Sequence, residues 1–220
     1  MANKILLSGM ANSGKTTLLK TLKNVFVVAV DGKKYPFEQP HTNIDSFSDI
    51  QELIDTAEAK IEIYQEKFGS LPDTVAIDSV SRILTLIIDA CSTKYTGFAI
   101  WNESNKQIYK FVSFLDDVVD AGMKVVLVSH ALYDENSKKY VEVAQGNFGK
   151  IGGFLSTVDY ASFIDVNKKG DRIIYHRNPS MMSRTLIEDI PESEKVEDFN
   201  LQTYLDKISK QSKTAIKFEL

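Results

Sequence analysis

The run Gly9-Met10-Ala11-Asn12-Ser13-Gly14-Lys15-Thr16-Thr17 limits the folds open to this chain more than any other stretch. It fits GxxxxGK[ST], a phosphate-binding pattern. Glycines let main-chain amides turn inward, the lysine neutralises the β- and γ-phosphates of a nucleoside triphosphate, and the hydroxyl ligates Mg2+. The apolar Ile5-Leu6-Leu7 precede it and a helical pattern follows, so the positive end of a helix dipole faces the same anion. A strand, a tight loop and a helix in that order open a βαβ unit and predict a sheet with parallel strands. A glycine-rich turn that holds a lysine by chance is the alternative reading of these residues.

The rest of the first half continues the alternation. Strands are expected over residues 4–8, 26–30, 74–77 and 124–129, and helices over 15–24, 49–68, 80–95 and 102–121. The second helix is the clearest, because Ile50, Leu53, Ile54, Ala57, Ile61 and Tyr64 recur on one face. Residues 31–45 are polar, carry Pro36 and Pro40, and read as a loop. The run Lys124 to Ser129 is almost wholly apolar and rich in valine, as a central parallel strand buried on both faces requires. After it the pattern changes: residues 139–143, 158–166 and 172–175 read as antiparallel strands, with Lys168-Lys169-Gly170-Asp171 as a hairpin turn. The expected organisation is a core over 1–187, an acidic linker over 188–198, and a C-terminal helix and tail over 199–220.

Composition narrows the function classes. A chain of 220 residues with 43% hydrophobic and 25% charged residues suits one globular domain. No apolar run nears the ~20 residues needed to cross a bilayer, and the first apolar stretch is too short for a signal peptide. A cytoplasmic protein without a membrane partner is expected. A net charge of −4 excludes coating nucleic acid through bulk positive charge. Even so, Lys138, Lys139, Lys150, Lys168, Lys169, Arg172, Arg177 and Arg184 gather in one stretch. Cys91 shares a helical stripe with Leu84, Ile87 and Ile88 and reads as core.

A metal at such a loop needs a second anchor, and Val75-Ala76-Ile77-Asp78 offers one: an apolar strand ending in a carboxylate that would hold the metal through water, with Ser79 helping to orient it. Asp78 fits either that metal role or the cap of the following helix. Candidates to position an attacking water are Asp31 and Glu38, although Asp31 also suits a turn before Gly32. His130 is expected to end the strand over 124–129, where it either senses the terminal phosphate or simply faces solvent.

With these residues on three strands, the chain resembles the RecA-like ATPase core: an α/β P-loop NTPase fold with a mainly parallel central β-sheet flanked by helices and an antiparallel extension in the second half. More narrowly, it resembles the short phage-encoded RecA-like proteins of single-strand annealing recombination. Four stretches carry that likeness: Asp31-Gly32-Lys33 with Pro36-Phe37-Glu38, Trp101-Asn102-Glu103, Ser129-His130-Ala131, and Gly149-Lys150-Ile151-Gly152-Gly153-Phe154. The resemblance implies ATP and Mg2+ bound at the interface of a homo-oligomer, with no separate N-terminal domain and an arginine supplied by the neighbour. Met182-Ser183-Arg184 stands where relatives carry Lys-x-Arg, so Arg184 is either that finger or an exposed loop residue. Lys33 occupies the position where a catalytic glutamate is usual, which sets fast hydrolysis in doubt.

The resemblance also implies single-stranded DNA as partner, together with a single-strand-binding protein, in a bacterial host's cytoplasm. Residues 132–157 would then touch DNA, with Lys138, Lys139 and Lys150 on phosphates and Phe148 stacking bases; an ordinary solvated hairpin is the alternative. Two other functions fit the same loop. A small-molecule or nucleotide kinase would need an arginine-rich lid that this chain lacks, and a nucleotide-dependent assembly or regulatory protein would turn over little. Asn105-Lys106-Gln107-Ile108 lacks the acid of a guanine-reading motif.

Overall fold

Alternate side chains of one set of strands enter two separate cores, and this two-sidedness explains the long apolar runs in the sequence. The computed structural model describes residues 4–32, 35–143 and 146–215, with side chains to 211. In chain order the elements are β1 (Lys4–Gly9), α1 (Lys15–Leu19), β2 (Val25–Ala29), β3 (His41–Asn43), α2 (Ile50–Phe68), β4 (Thr74–Asp78), α3 (Val80–Lys94) and α4 (Phe98–Asp120). There follow β5 (Lys124–Asp134), β6 (Lys139–Glu142), α5 (Gly146–Lys150), a 3-10 turn (Gly153–Thr157), β7 (Tyr160–Val166), β8 (Arg172–Tyr175), β9 (Ser193–Lys195) and α6 (Leu201–Ala215).

The nine-stranded sheet runs β3-β2-β4-β5-β1-β7-β8-β9, with β6 paired to β5. Pairings from β3 to β7 are parallel, and those of β7 with β8, β8 with β9, and β5 with β6 are antiparallel. One face of the sheet offers Leu6, Val28, Ile77, Leu127 and Phe163 to a core shared with α2, α3, α4 and α5. The other offers Ile5, Val27, Ala76, Val126 and Ile164 to a core shared with α1 and α6. The amphipathic face of α2 is buried as its spacing predicts, and Asp49 caps it by accepting from the amides of Gln51 and Glu52. Cys91 is buried. No helix among the described residues is long and apolar enough to cross a membrane.

Several expectations change. The helix expected over 15–24 stops at Leu19, and Lys20, Thr21 and Leu22 form tighter bonds to carbonyls three residues back. The loop expected over 31–45 contains β3, an edge strand too short and polar to announce itself. The stretch expected as an antiparallel strand over 158–166 starts at Tyr160 and pairs parallel with β1 on one side and antiparallel with β8 on the other. The strand expected to end at Ser129 runs on to Asp134. The acidic segment over 188–198 contributes β9 to the sheet, and Ile190 is buried in the same core as Leu201, Tyr204 and Leu205 of α6. Apolar anchors at wide spacing hold that segment despite its charge.

Candidate functional site

The parallel strands bring their C-terminal ends to one edge, and the loops there enclose a cavity of about 450 Å³. Its wall joins Ala11, Asn12, Gly14, Lys15, Thr16 and Thr17 to Ala29, Asp31, Tyr35, Pro36, Asp78, His130 and Arg172. Topology explains the gathering: β4 and β1 are both neighbours of β5, and His130 of β5 stands in register with Gly9. Strands distant in sequence thus deliver Asp78, His130 and the glycine loop side by side.

The loop's geometry depends on its first glycine. A Cβ on Gly9 would lie 2.4 Å from the Ile164 carbonyl oxygen of β7 and 2.7 Å from Ser13 Oγ, so no side chain fits. Gly14, at φ +99°, precedes α1, and Arg172 lies close above it. Lys15 folds back over the loop and donates to the carbonyls of Gly9 (2.9 Å) and Met10 (2.7 Å). Burial lowers its ammonium to about 8, against the opposing pull of the Asp78 and Asp31 carboxylates.

The Thr16 hydroxyl donates to Asp78 Oδ2 at 2.7 Å. The contact uses the hydroxyl's proton and leaves its lone pairs free, so Thr16 would ligate Mg2+ and Asp78 would hold the ion through water. The cap of α3 is Ser79, which accepts from the Arg82 amide, and Asp78 faces the cavity instead. The Asp78–Ser79 peptide bond is cis. Ser79 Oγ also donates to Asp31 Oδ1 at 3.2 Å, fixing that carboxylate on the same wall. Glu38 is exposed and does not line the cavity, and Lys33 lies outside the described residues.

Two wall residues carry no local signal in the sequence. Arg172 stands there as one cation of a basic stretch; the β7–β8 hairpin carries it over the glycine loop, because Ile164 is level with Gly9 and the strands continue beyond. It also lines a second cavity of about 460 Å³, with Thr17, Lys20, Thr21, Lys195 and Phe199. Tyr35 follows β2 and is 8% exposed, and its hydroxyl makes no hydrogen bond among the described residues. Burial pushes its phenol above the ordinary range, as does the nearby Asp78 carboxylate.

Behind His130 a polar chain crosses the core. The His130 amide donates to Ser81 Oγ (2.8 Å), Ser81 and Ser129 share a hydrogen bond (3.1 Å), and Ser129 Oγ donates to Glu142 Oε1 (2.9 Å). The Phe154 amide donates to Glu142 Oε2 (2.6 Å). Burial pushes the Glu142 carboxyl up to about 7, although these donors favour its ionised form.

The remaining candidates fall elsewhere. Lys138 and Lys139 are exposed at the β5–β6 turn, and Lys150 is exposed at the end of α5. Phe148, expected to stack on bases, is 1% exposed and packs its ring against Phe154 and Tyr109, because α5 lies on α4. The exposed ring on that hairpin is Tyr133. Arg184, expected as a finger for a neighbour, donates to the carbonyls of Leu155 (3.2 Å) and Val158 of its own chain and does not line the cavity.

Known proteins bear on this geometry. The family described as "AAA domain" matches residues 1–184. No curated protein matches the sequence. Among solved structures, a KaiC-like protein from the hyperthermophilic archaeon Pyrococcus horikoshii is similar with a TM-score of 0.52 at 12% identity, over 88% of this chain and 84% of that one. At that identity the likeness speaks for the fold, a RecA-like P-loop core.

Proposed function

Because the chain belongs to the AAA domain family of nucleotide-binding P-loop proteins, we propose that it binds ATP with Mg2+ in the cavity at Gly9–Thr17 and uses it to engage single-stranded DNA in phage recombination or annealing. The observation that carries the nucleotide part is the convergence of Lys15, Thr16 and Asp78 on one cavity of about 450 Å³, a volume ordinary for a small-molecule site. Lys15 leaves the carbonyls of Gly9 and Met10 for the β- and γ-phosphates. Thr16 would ligate Mg2+ and Asp78 would hold it through water, and the ion would neutralise phosphate charge. Asp31, oriented by Ser79, holds the attacking water.

His130 faces the terminal phosphate from β5, the strand that continues into the Lys138–Lys139 hairpin. Lys138, Lys139 and Lys150 follow the DNA backbone, and Tyr133 supplies a stacking face. The working form is a homo-oligomer in the host cytoplasm, with a single-strand-binding protein as a further partner.

A second reading, a regulatory protein that turns over little, has its own support: Glu38 is exposed and off the wall, which leaves Asp31 as the one described wall carboxylate besides Asp78 to hold a water. Anisotropy of a labelled single strand, with and without ATP and Mg2+, tests the first reading. ATP-strengthened, salt-sensitive binding that Lys15→Ala abolishes supports it, and negligible binding in every condition rejects it. Phosphate release in a single turnover separates the two readings: an ATPase releases it, and the regulator leaves ATP intact.

A further inference from the structure

The Tyr35 hydroxyl is a buried polar group without a hydrogen-bond partner among the described residues. The Tyr35 ring is fixed from two sides, by Phe37 edge-on at 5.6 Å and by His41, the first residue of β3, at 5.0 Å. The hydroxyl has almost no accessible surface, so a cavity ligand reaches it only with a small shift of the side chain, in a residue that lines the cavity. Phenylalanine would fill the same space without a hydroxyl to desolvate, and a buried donor without a partner costs stability. The hydroxyl is therefore a donor available to an atom that a ligand brings to the cavity.

Sheet order says which atom. The glycine loop follows β1, Asp78 ends β4, and Tyr35 follows β2, so the path β2-β4-β5-β1 puts Asp78 between Tyr35 and the loop in strand order. Thr17 and Arg172 stand on the opposite side, where β7 and β8 flank β1. A triphosphate seated with Lys15 on its β- and γ-phosphates and Thr16 on its metal extends its nucleoside away from Asp78. Its terminal phosphate is then the part presented towards Tyr35.

We propose that the Tyr35 hydroxyl donates a hydrogen bond to an oxygen of the bound terminal phosphate and so discriminates nucleoside triphosphate from diphosphate. The inference rests on the cavity being an ATP site. It gives the segment between β2 and β3 a function, because the ring that reads the phosphate is braced on the first residue of β3.

Equilibrium binding of fluorescent ADP and of a fluorescent non-hydrolysable ATP analogue, both with Mg2+, tests it on the full chain as wild type, Tyr35→Phe and Lys15→Ala. Tyr35→Phe keeps the braced ring. The expected result is an analogue affinity lowered about tenfold or more, as for a hydrogen bond to a charged group, an ADP affinity within about twofold of wild type, and an apo melting temperature not below that of wild type. An unchanged ratio of the two affinities overturns the proposal, as does an equal loss for both nucleotides. If Lys15→Ala still removes both nucleotides in those cases, the ATP-site reading stands and only the role of Tyr35 falls. If the wild type binds neither nucleotide, both fall together.

Discussion

Replacing Glu142 by glutamine should change the pH dependence of stability by an amount the structure sets. Burial pushes this carboxyl from 4.5 to about 7. A group whose folded value is raised contributes stability that is complete below its unfolded value and lost as pH rises through the folded one. The gap corresponds to at most about 3.4 kcal/mol. Between pH 6 and pH 8, linkage gives a loss of about 1.3 kcal/mol from this residue. Glutamine does not titrate, and its amide can keep both hydrogen bonds, accepting from the Phe154 amide and donating to Ser129 Oγ. The groups that donate to Glu142 are uncharged: the Ser129 hydroxyl and the amides of Phe154 and Leu155.

The difference between the two proteins isolates this residue. His176, buried and lowered to about 4, makes stability rise with pH between about 4 and 6.5 in both, and Lys15 contributes to both alike above about 8. Urea unfolding at pH 6, 7 and 8 supplies the measurement. Glu142→Gln should gain on the wild type by about 1.3 kcal/mol across that range, and a difference that stays flat would refute the reasoning.

Two other substitutions separate structural from ligand-facing roles. Gly9→Ala places a methyl against the Ile164 carbonyl at 2.4 Å and should cost about 2 kcal/mol or more by urea unfolding, nucleotide or no nucleotide. Phe148→Ala should cost about 3–5 kcal/mol yet leave the salt dependence of single-strand binding unchanged per folded molecule. Lys138→Ala with Lys139→Ala should instead flatten that dependence by roughly 0.7 in logarithmic slope for each phosphate no longer neutralised.

The glycine loop, Asp78 and the helix α2 were legible because each rests on local chemistry: a fixed spacing, a strand-end carboxylate, an amphipathic repeat capped by Asp49. What stayed hidden depends on the arrangement of distant strands. Arg172 looks like one cation among many until β7 and β8 are seen to carry it over Gly14. Tyr35 sits in a polar, proline-bearing stretch, and nothing local signals that its hydroxyl ends up buried beside a carboxylate. Phe148 misled for the opposite reason. Glycines and lysines around it suggest an open loop, whereas α5 and the 3-10 turn fold its ring and that of Phe154 into the core. The neighbours of Arg184 are carbonyls of the preceding turn, and main-chain partners leave no trace in residue types.

The continuous strand β5 restricts how the two ends of this molecule can communicate. Its first residues are locked between β4 and β1, whose registers both forbid sliding, and its last four pair only with β6 among the described residues. The change of partner falls at His130. Sliding of β5 along its own axis would break both registers. Any motion of the hairpin against the sheet would instead pivot at His130, where the Ser129–Glu142–Phe154 hydrogen bonds brace it.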